Sequence, residues 1–228
     1  MPVYLLPEEP VFPPPSEAEP DGLLAIGGDL SAARLLKAYA DGIFPWFRDE
    51  EDIFWFSPDP RMVLFPGEMK VSESLKRLIR SRKFEIRADS SFQQVIEACA
   101  EAPRDGQEGT WIDGDFIEAY ARLHKLGFAH SFEAYLNGEL AGGLYGVSIG
   151  RAFFGESMFH KANDASKVAF YYMVEKIKTW QFHFIDCQVE TDLLKRLGAR
   201  QVPRTEYLER LASATEFPTH QGAWALQA

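Results

Sequence analysis

A carboxylate and a carboxamide lie two positions apart in a run that otherwise reads as a buried strand. The run is FHFIDCQVET, residues 182–191, with Asp186 and Gln188 near its centre. Aromatic and β-branched neighbours favour a strand, and a strand sends alternate side chains to opposite faces. Ile185, Cys187 and Val189 then share an apolar face, and Phe184, Asp186 and Gln188 share the other. The same parity in FFGESMF groups Phe154, Glu156 and Met158 against Phe153, Gly155 and Ser157. If the two strands are neighbours, Asp186, Gln188 and Glu156 converge. A carboxylate on a covered sheet face is costly unless it is bonded or opens on a cleft. In a cleft, such groups stay open to a ligand. The plainer account is an ion pair with an arginine or a loop cap. Two acids and an amide, each inside an aromatic strand, favour the cleft. Gly142, Gly143, Gly146, Gly150 and Gly155 fall in the same region. Glycine weakens a strand, so they mark either bulges or a ligand lying close to the backbone.

Other residues suit recognition rather than chemistry. Trp46 in FPWF, Trp55 in FWF and Trp111 in GTWI are either core or platforms on which a nucleobase can stack. Lys70, Lys76, Arg77, Arg80, Arg82, Lys83 and Arg87 stand between residues 70 and 87, against only Glu73 and Glu85. Leu75, Leu78 and Ile79 give this segment a helical apolar stripe, which leaves the cations on the other faces. They form a solvated face or, beside stacking aromatics, a strip that tracks phosphates. The histidines lack ligand spacing, and Cys99 and Cys187 are not a C-x-x-C pair. No metal and no cofactor is expected.

These residues need a scaffold, and 228 residues with 46% hydrophobic content can bury a substantial core. The net charge of −10 argues against a general nucleic-acid binder and makes the basic island a local feature. No eighteen-residue apolar run is present, so no membrane association is expected. The start, MPVYLLPEEP, lacks the basic and long apolar regions of a secretory signal, and with two cysteines a cytoplasmic location is expected.

Residues 1–20 read as an extended lead-in, and a helix comes next, capped by Asp29 or Ser31 and stopped at Gly42. IFWFSPDPRMVLF is an aromatic strand broken at Pro-Asp-Pro, and a domain boundary near residue 62 is expected. The domains are then 1–62, small and N-terminal, and 63–228. In the second, three helices lead to antiparallel strands across 129–159, with Asn137-Gly138 as a hairpin turn. After them stand a helix from Asn163–Asp164 to Thr179, the strand 182–189 and a short helix over 191–197. Residues 211–228 show no readable pattern. The order predicts an α/β (α+β) fold with a mostly antiparallel central sheet flanked by helices.

GLLAIGGDLS, GIFPWF, WFSPDPR, GTWI, LHKLGFAHSFE, GGLYGVSIGRAFFGESMF, ASK and IDCQV…LGA occur together and in this order. Over roughly residues 20–210 the chain resembles the bacterial leucyl/phenylalanyl-tRNA–protein transferases. The resemblance implies a small N-terminal domain and a GNAT-type acyltransferase domain. It implies an aminoacyltransferase that moves Leu, Phe or, less well, Met from aminoacyl-tRNA to the N-terminal Arg or Lys of an acceptor protein. The product is marked for N-end rule degradation. By the same resemblance Asp186, Gln188 and Glu156 are catalytic, Trp46 and Trp111 sandwich the terminal adenine, and Leu144, Phe153, Phe170 and Met173 form the side-chain pocket. Lys76, Arg77, Arg80, Arg82 and Lys83 meet the tRNA acceptor stem, and a monomer is expected. His160 and Leu193 stand where Ser and His are usual. Two rival readings are an acetyl-CoA-dependent acetyltransferase and a non-catalytic tRNA- or peptide-binding module. HKANDASKVAF lacks the glycines of a CoA pyrophosphate loop, which disfavours the first.

Overall fold

The computed structural model of the protein describes residues 3–49, 52–102 and 112–226. A four-stranded sheet is built first, from β1 (Tyr4–Leu5), β2 (Leu23–Ile26), β3 (Phe44–Asp49) and β4 (Asp52–Phe56) in the order β1-β2-β4-β3. Between β2 and β3 runs α1 (Ala32–Ala40). The Ser31 side chain caps it by accepting from the Arg34 N–H, and its inward face carries Leu35, Ala38 and Tyr39. The lead-in is tied down more firmly than its Pro-rich composition suggests. β1 pairs with β2, and the buried Arg34 guanidinium donates to the Pro7 and Glu8 carbonyls.

β5 (Arg61–Leu64) already belongs to a second sheet of seven strands. The helices α2 (Glu73–Arg80), α3 (Phe92–Glu101) and α4 (Gly114–Lys125) are interleaved with β6 (Glu85–Ala88) and lead to the antiparallel run β7 (Ala129–Leu136), β8 (Glu139–Ile149) and β9 (Ala152–His160). Asn137 and Gly138 both take positive φ, as a two-residue hairpin of this hand requires. Next come α5 (Ala165–Thr179), β10 (Phe184–Gln188), α6 (Asp192–Arg196), β11 (Arg200–Val202) and α7 (Arg204–Thr215). The order is β11-β5-β10-β9-β8-β7-β6. In this sheet only β9 and β10 are parallel, and α5 is the crossover that a parallel pair needs. This is the mixed α/β arrangement expected, with a mostly antiparallel sheet.

Helices cover both faces. α5 and α2 close one over Leu144, Phe153, Phe170 and Ile185. α3, α4, α1 and the small sheet close the other over Tyr39, Tyr120, Phe154 and Phe184. The parallel pairing runs only from Phe184↔Ala152 to Asp186↔Phe154. Beyond it the strands part, and a bulge falls in each: beside Gly155–Glu156 in β9, and at Cys187 in β10. The opening so made positions the site.

The tail of the chain, silent in sequence, is structured. α7 packs on the sheet, and Trp224 beyond it is 4% exposed, packed among Phe132, Phe153, Trp180 and Phe182. Among the described residues no helix is long and apolar enough to cross a membrane.

Candidate active site

A cavity of about 400 Å³ lies where β9 and β10 separate. Its apolar well is formed by Leu144, Phe153, Met158, Phe170 and Ile185, and Leu193 and Leu194 of α6 close one side. Trp46 of β3 stands at the wall on the side of the small sheet. A bulge between Pro45 and Phe47 in β3 turns it there, edge-on to Phe56 at 5.0 Å. The polar edge consists of Glu156 and Gln188, whose Nε2 donates to Glu156 Oε1 at 2.8 Å.

Glu156 is held from several sides. Tyr39 of α1 donates to its Oε1 at 2.7 Å, and Tyr120 of α4 donates to Oε2 at 3.0 Å. The two hydroxyl oxygens also lie within hydrogen-bond distance of each other, and with one proton each they cannot share a bond while both donate to the carboxylate. Both phenols are fully buried, and burial, with the Glu156 charge next in weight, drives their pKa values well up. Burial also lifts Glu156 itself, from the ordinary 4.5 to about 7, against the three hydrogen bonds that hold it down. Glu156 thus titrates near neutrality at the rim of an apolar well.

Asp186 is placed differently from the sequence expectation. It is 0% exposed and faces away from the cavity. Arg61 donates to it through Nε at 2.9 Å and Nη2 at 2.7 Å, and the Tyr207 hydroxyl donates at 2.8 Å. The guanidinium lies between the rings of Phe44 and Tyr207, at 4.7 and 4.6 Å. Burial works against its charge, but the Asp186 carboxylate holds its pKa above the usual arginine value. The remaining bond is decisive. The Gln188 backbone N–H donates to Asp186 Oδ1 at 2.8 Å, across the bulge, with Gln188 at φ +62°. Strict alternation would have sent both side chains to one face. The bulge breaks the alternation, buries Asp186 and delivers Gln188 to Glu156. The Asp186 side chain is therefore linked to the polar edge by its bond to the Gln188 backbone, and its charge helps raise the Glu156 pKa.

Of the expected pocket residues, Leu144, Phe153, Phe170 and Trp46 line the cavity. Met173 does not; it is fully buried behind it on α5. Trp111 lies outside the described residues. Trp55 is core, with its indole N–H on the Gly27 carbonyl. Lys76, Arg77 and Arg80 lie on α2, and Arg82 and Lys83 come just after it, away from the cavity lining. Lys76 is paired with Glu73 at 2.7 Å. Of the glycines singled out in sequence, only Gly155 lines the cavity. A Cβ on Gly142 would meet Ala165 of α5 at 2.7 Å, and one on Gly146 would meet the Phe154 carbonyl oxygen at 2.2 Å, so these serve packing. Cys187 lines the cavity as a thiol whose pKa burial pushes up. Strand parity missed Arg61, Tyr39, Tyr120 and Tyr207. Arg61 was findable: a cation in the apolar run RMVL raises the same question as Asp186.

Sequence comparisons with known proteins agree on one family. The family model of leucyl/phenylalanyl-tRNA protein transferase matches residues 63–212, and that of the N-terminal domain of the same transferase matches residues 28–59. The leucyl/phenylalanyl-tRNA–protein transferase of Anaeromyxobacter sp. (strain K) is 58% identical over 226 residues, covering 99% of this chain and 97% of its own. That of Solidesulfovibrio magneticus is 58% identical, with 99% and 92% covered, and that of Chromobacterium violaceum 55%, with 95% and 93% covered. Among solved structures, L-PGS from Bacillus licheniformis is 9% identical with a TM-score of 0.37, covering 74% of this chain and 54% of that one. A GCN5-related N-acetyltransferase-like protein from Streptococcus suis is 12% identical with a TM-score of 0.35, covering 78% and 68%.

Proposed function

The chain belongs to the leucyl/phenylalanyl-tRNA–protein transferase family, and from that premise we propose that it moves Leu or Phe, and less well Met, from aminoacyl-tRNA to the N-terminal Arg or Lys of a protein. The observation that carries this reading is the split between β9 and β10. An apolar well of Leu144, Phe153, Met158 and Phe170 meets the Glu156–Gln188 pair at its polar edge. An apolar well takes Leu, Phe and Met by burial and separates similar shapes only weakly. Trp46 at the wall offers a stacking face for the terminal adenine, with Trp111 assigned as its partner by family resemblance. The cations Lys76, Arg77, Arg80, Arg82 and Lys83 would meet the acceptor stem.

The reaction is aminolysis of an ester. The acceptor nitrogen attacks the ester carbonyl and a C–N bond forms. The C–O bond to the ribose breaks, and the amine's surplus proton ends on the leaving oxygen. The ester is already activated, so the protein supplies proximity, worth roughly 7–11 kcal/mol in favourable cases, and a neutral amine. An N-terminal ammonium has a pKa of about 8. Glu156, titrating at about 7, is matched to take that proton. Its negative form also attracts a cationic acceptor end. Gln188 presents an amide to the same space and fixes Glu156. Asp186 acts as a positioning residue behind both. The N-terminus of α5, where a CoA pyrophosphate would be cradled, carries the Asp164 carboxylate, paired with Lys167. That charge weighs against the acetyltransferase reading.

The division into residues 1–62 and 63–228, a monomeric state, a cytoplasmic location and a place in N-end rule degradation belong to the same proposal. The test is transfer of labelled Leu or Phe from charged tRNA to a peptide beginning with Arg, beside the same peptide beginning with Ala. Transfer to the first alone is expected. Equal transfer to both would remove the cationic-end reading, and transfer to neither would remove the reaction.

A further inference from the structure

We propose that Trp224 in the C-terminal tail sets the depth of the aminoacyl well by holding Phe153 from behind, and so tunes which side chains the enzyme accepts. The inference rests on the reading of the cavity as the amino-acid pocket. Phe153 lines the well yet is 0% exposed to bulk solvent. Its ring meets two fixed surfaces. On one side is bare backbone, since a Cβ on Gly146 would lie 2.7 Å from Phe153 Cε1 and Cζ. It also meets the Trp224 indole, at 6.0 Å between ring centroids and tilted by 40°. With no room toward Gly146, the indole is one of the contacts that fix where the wall stands.

The indole is itself locked. It stacks on His130 at 3.8 Å and meets Trp180 edge-on at 4.8 Å. Its backbone N–H donates to Asp89 Oδ2 at 2.6 Å, and the same oxygen bonds His130 Nδ1 at 2.9 Å. Its Nε1 donates to the His220 carbonyl at 2.8 Å. The tail that carries it is stitched to the sheet and to the end of α4. Thr219 accepts from the Gly150 N–H at 2.9 Å, and Gly222 donates to the Gly127 carbonyl at 3.1 Å. This is more fastening than an idle tail requires. A packed apolar wall discriminates by fit, because interiors pack densely and a gap weakens dispersion across it.

The test compares kcat/KM for transfer to an Arg-starting peptide from tRNA charged with Leu, with Phe or with Trp. The chains compared are the unaltered one, Trp224→Phe and Trp224→Ala. Loosening the wall should weaken its grip on Leu and give the larger side chains room. The Phe-to-Leu ratio should rise about tenfold in Trp224→Ala, the scale of a small change in pocket volume, with a smaller rise in Trp224→Phe. The change should fall on KM, since the wall holds the side chain equally in the ground state and the transition state. A tail that only stabilises the fold would lower transfer from every donor by one factor. An unchanged ratio in either variant that still transfers overturns the inference while leaving the reaction standing. If Trp224→Ala does not fold, Trp224→Phe alone decides. An unaltered chain that transfers from no donor overturns the pocket reading and this inference together.

Discussion

At the scale of single residues, Glu156 is a half-buried carboxylate whose charge the site makes conditional. Desolvation raises its pKa to about 7, while Tyr39, Tyr120 and Gln188 pull it back by donating to it. A folded pKa above the unfolded value means the folded state binds the extra proton between about pH 4.5 and 7. The stability linked to this group is complete below that window and is lost as pH rises through it. The functional form, the carboxylate of the folded protein, grows in around the folded pKa of about 7. Transfer should therefore show an ascending limb near pH 7. An ascending limb from the acceptor's own ammonium would look similar, so a variant is needed. Tyr120→Phe removes a donor to Glu156 and should move the limb to higher pH, whereas a limb owned by the amine would not move. The pH profile of kcat/KM with a fixed peptide decides between them.

At the scale of elements, the bulge in β10 is the feature the alternation rule could not supply. Alternation correctly singled out Asp186, Gln188 and Glu156 as residues needing an explanation. It then put Asp186 in the cleft, because a period of two assumes unbroken pairing. One extra residue at Cys187 reverses the facing of Gln188 relative to Asp186. The hairpin at Asn137-Gly138, the antiparallel run through β9, the capped helices and α5 were legible because local rules fix them. The tail was not, because Trp224 finds its partners Asp89 and Phe153 far away in sequence. The glycines show the same limit: Gly142 and Gly146 answer to a packed helix and a crossing strand, which no local pattern records. The bulge also makes Asp186 testable. Asp186→Ala strands the Arg61 charge, and breaking a buried pair costs about 3–5 kcal/mol. Loss of transfer in that variant would not separate chemistry from unfolding. Replacing both, Arg61→Met with Asp186→Leu, removes the stranded charge and should restore most of the stability in urea unfolding. Transfer should stay low, because the Gln188 N–H no longer has its acceptor. Recovery of both properties would show that Asp186 does not position Gln188.

At the scale of the whole molecule, an acidic protein must bind a polyanion. A net charge of −10 repels RNA at long range, so attraction has to be local. The basic strip on and after α2 is the only run along the sequence with such an excess of cations. α2 packs against α5, which carries Phe170 of the well, so a single RNA end could reach both. Lys76 pairs with Glu73 and Arg77 donates to the Glu73 carbonyl, both at the solvent surface, and Arg77 and Arg80 are exposed. Removing one cation from a phosphate lowers the salt slope of binding by about one. Replacing Lys76, Arg77 and Arg80 by Gln together should lower the slope of log KM for aminoacyl-tRNA against log salt by up to about three. The fold should hold, because Leu75 carries the buried side of the helix. A slope that stays put would make the strip a solvated face and leave stacking at Trp46 to hold the RNA end against the repulsion of the rest of the surface.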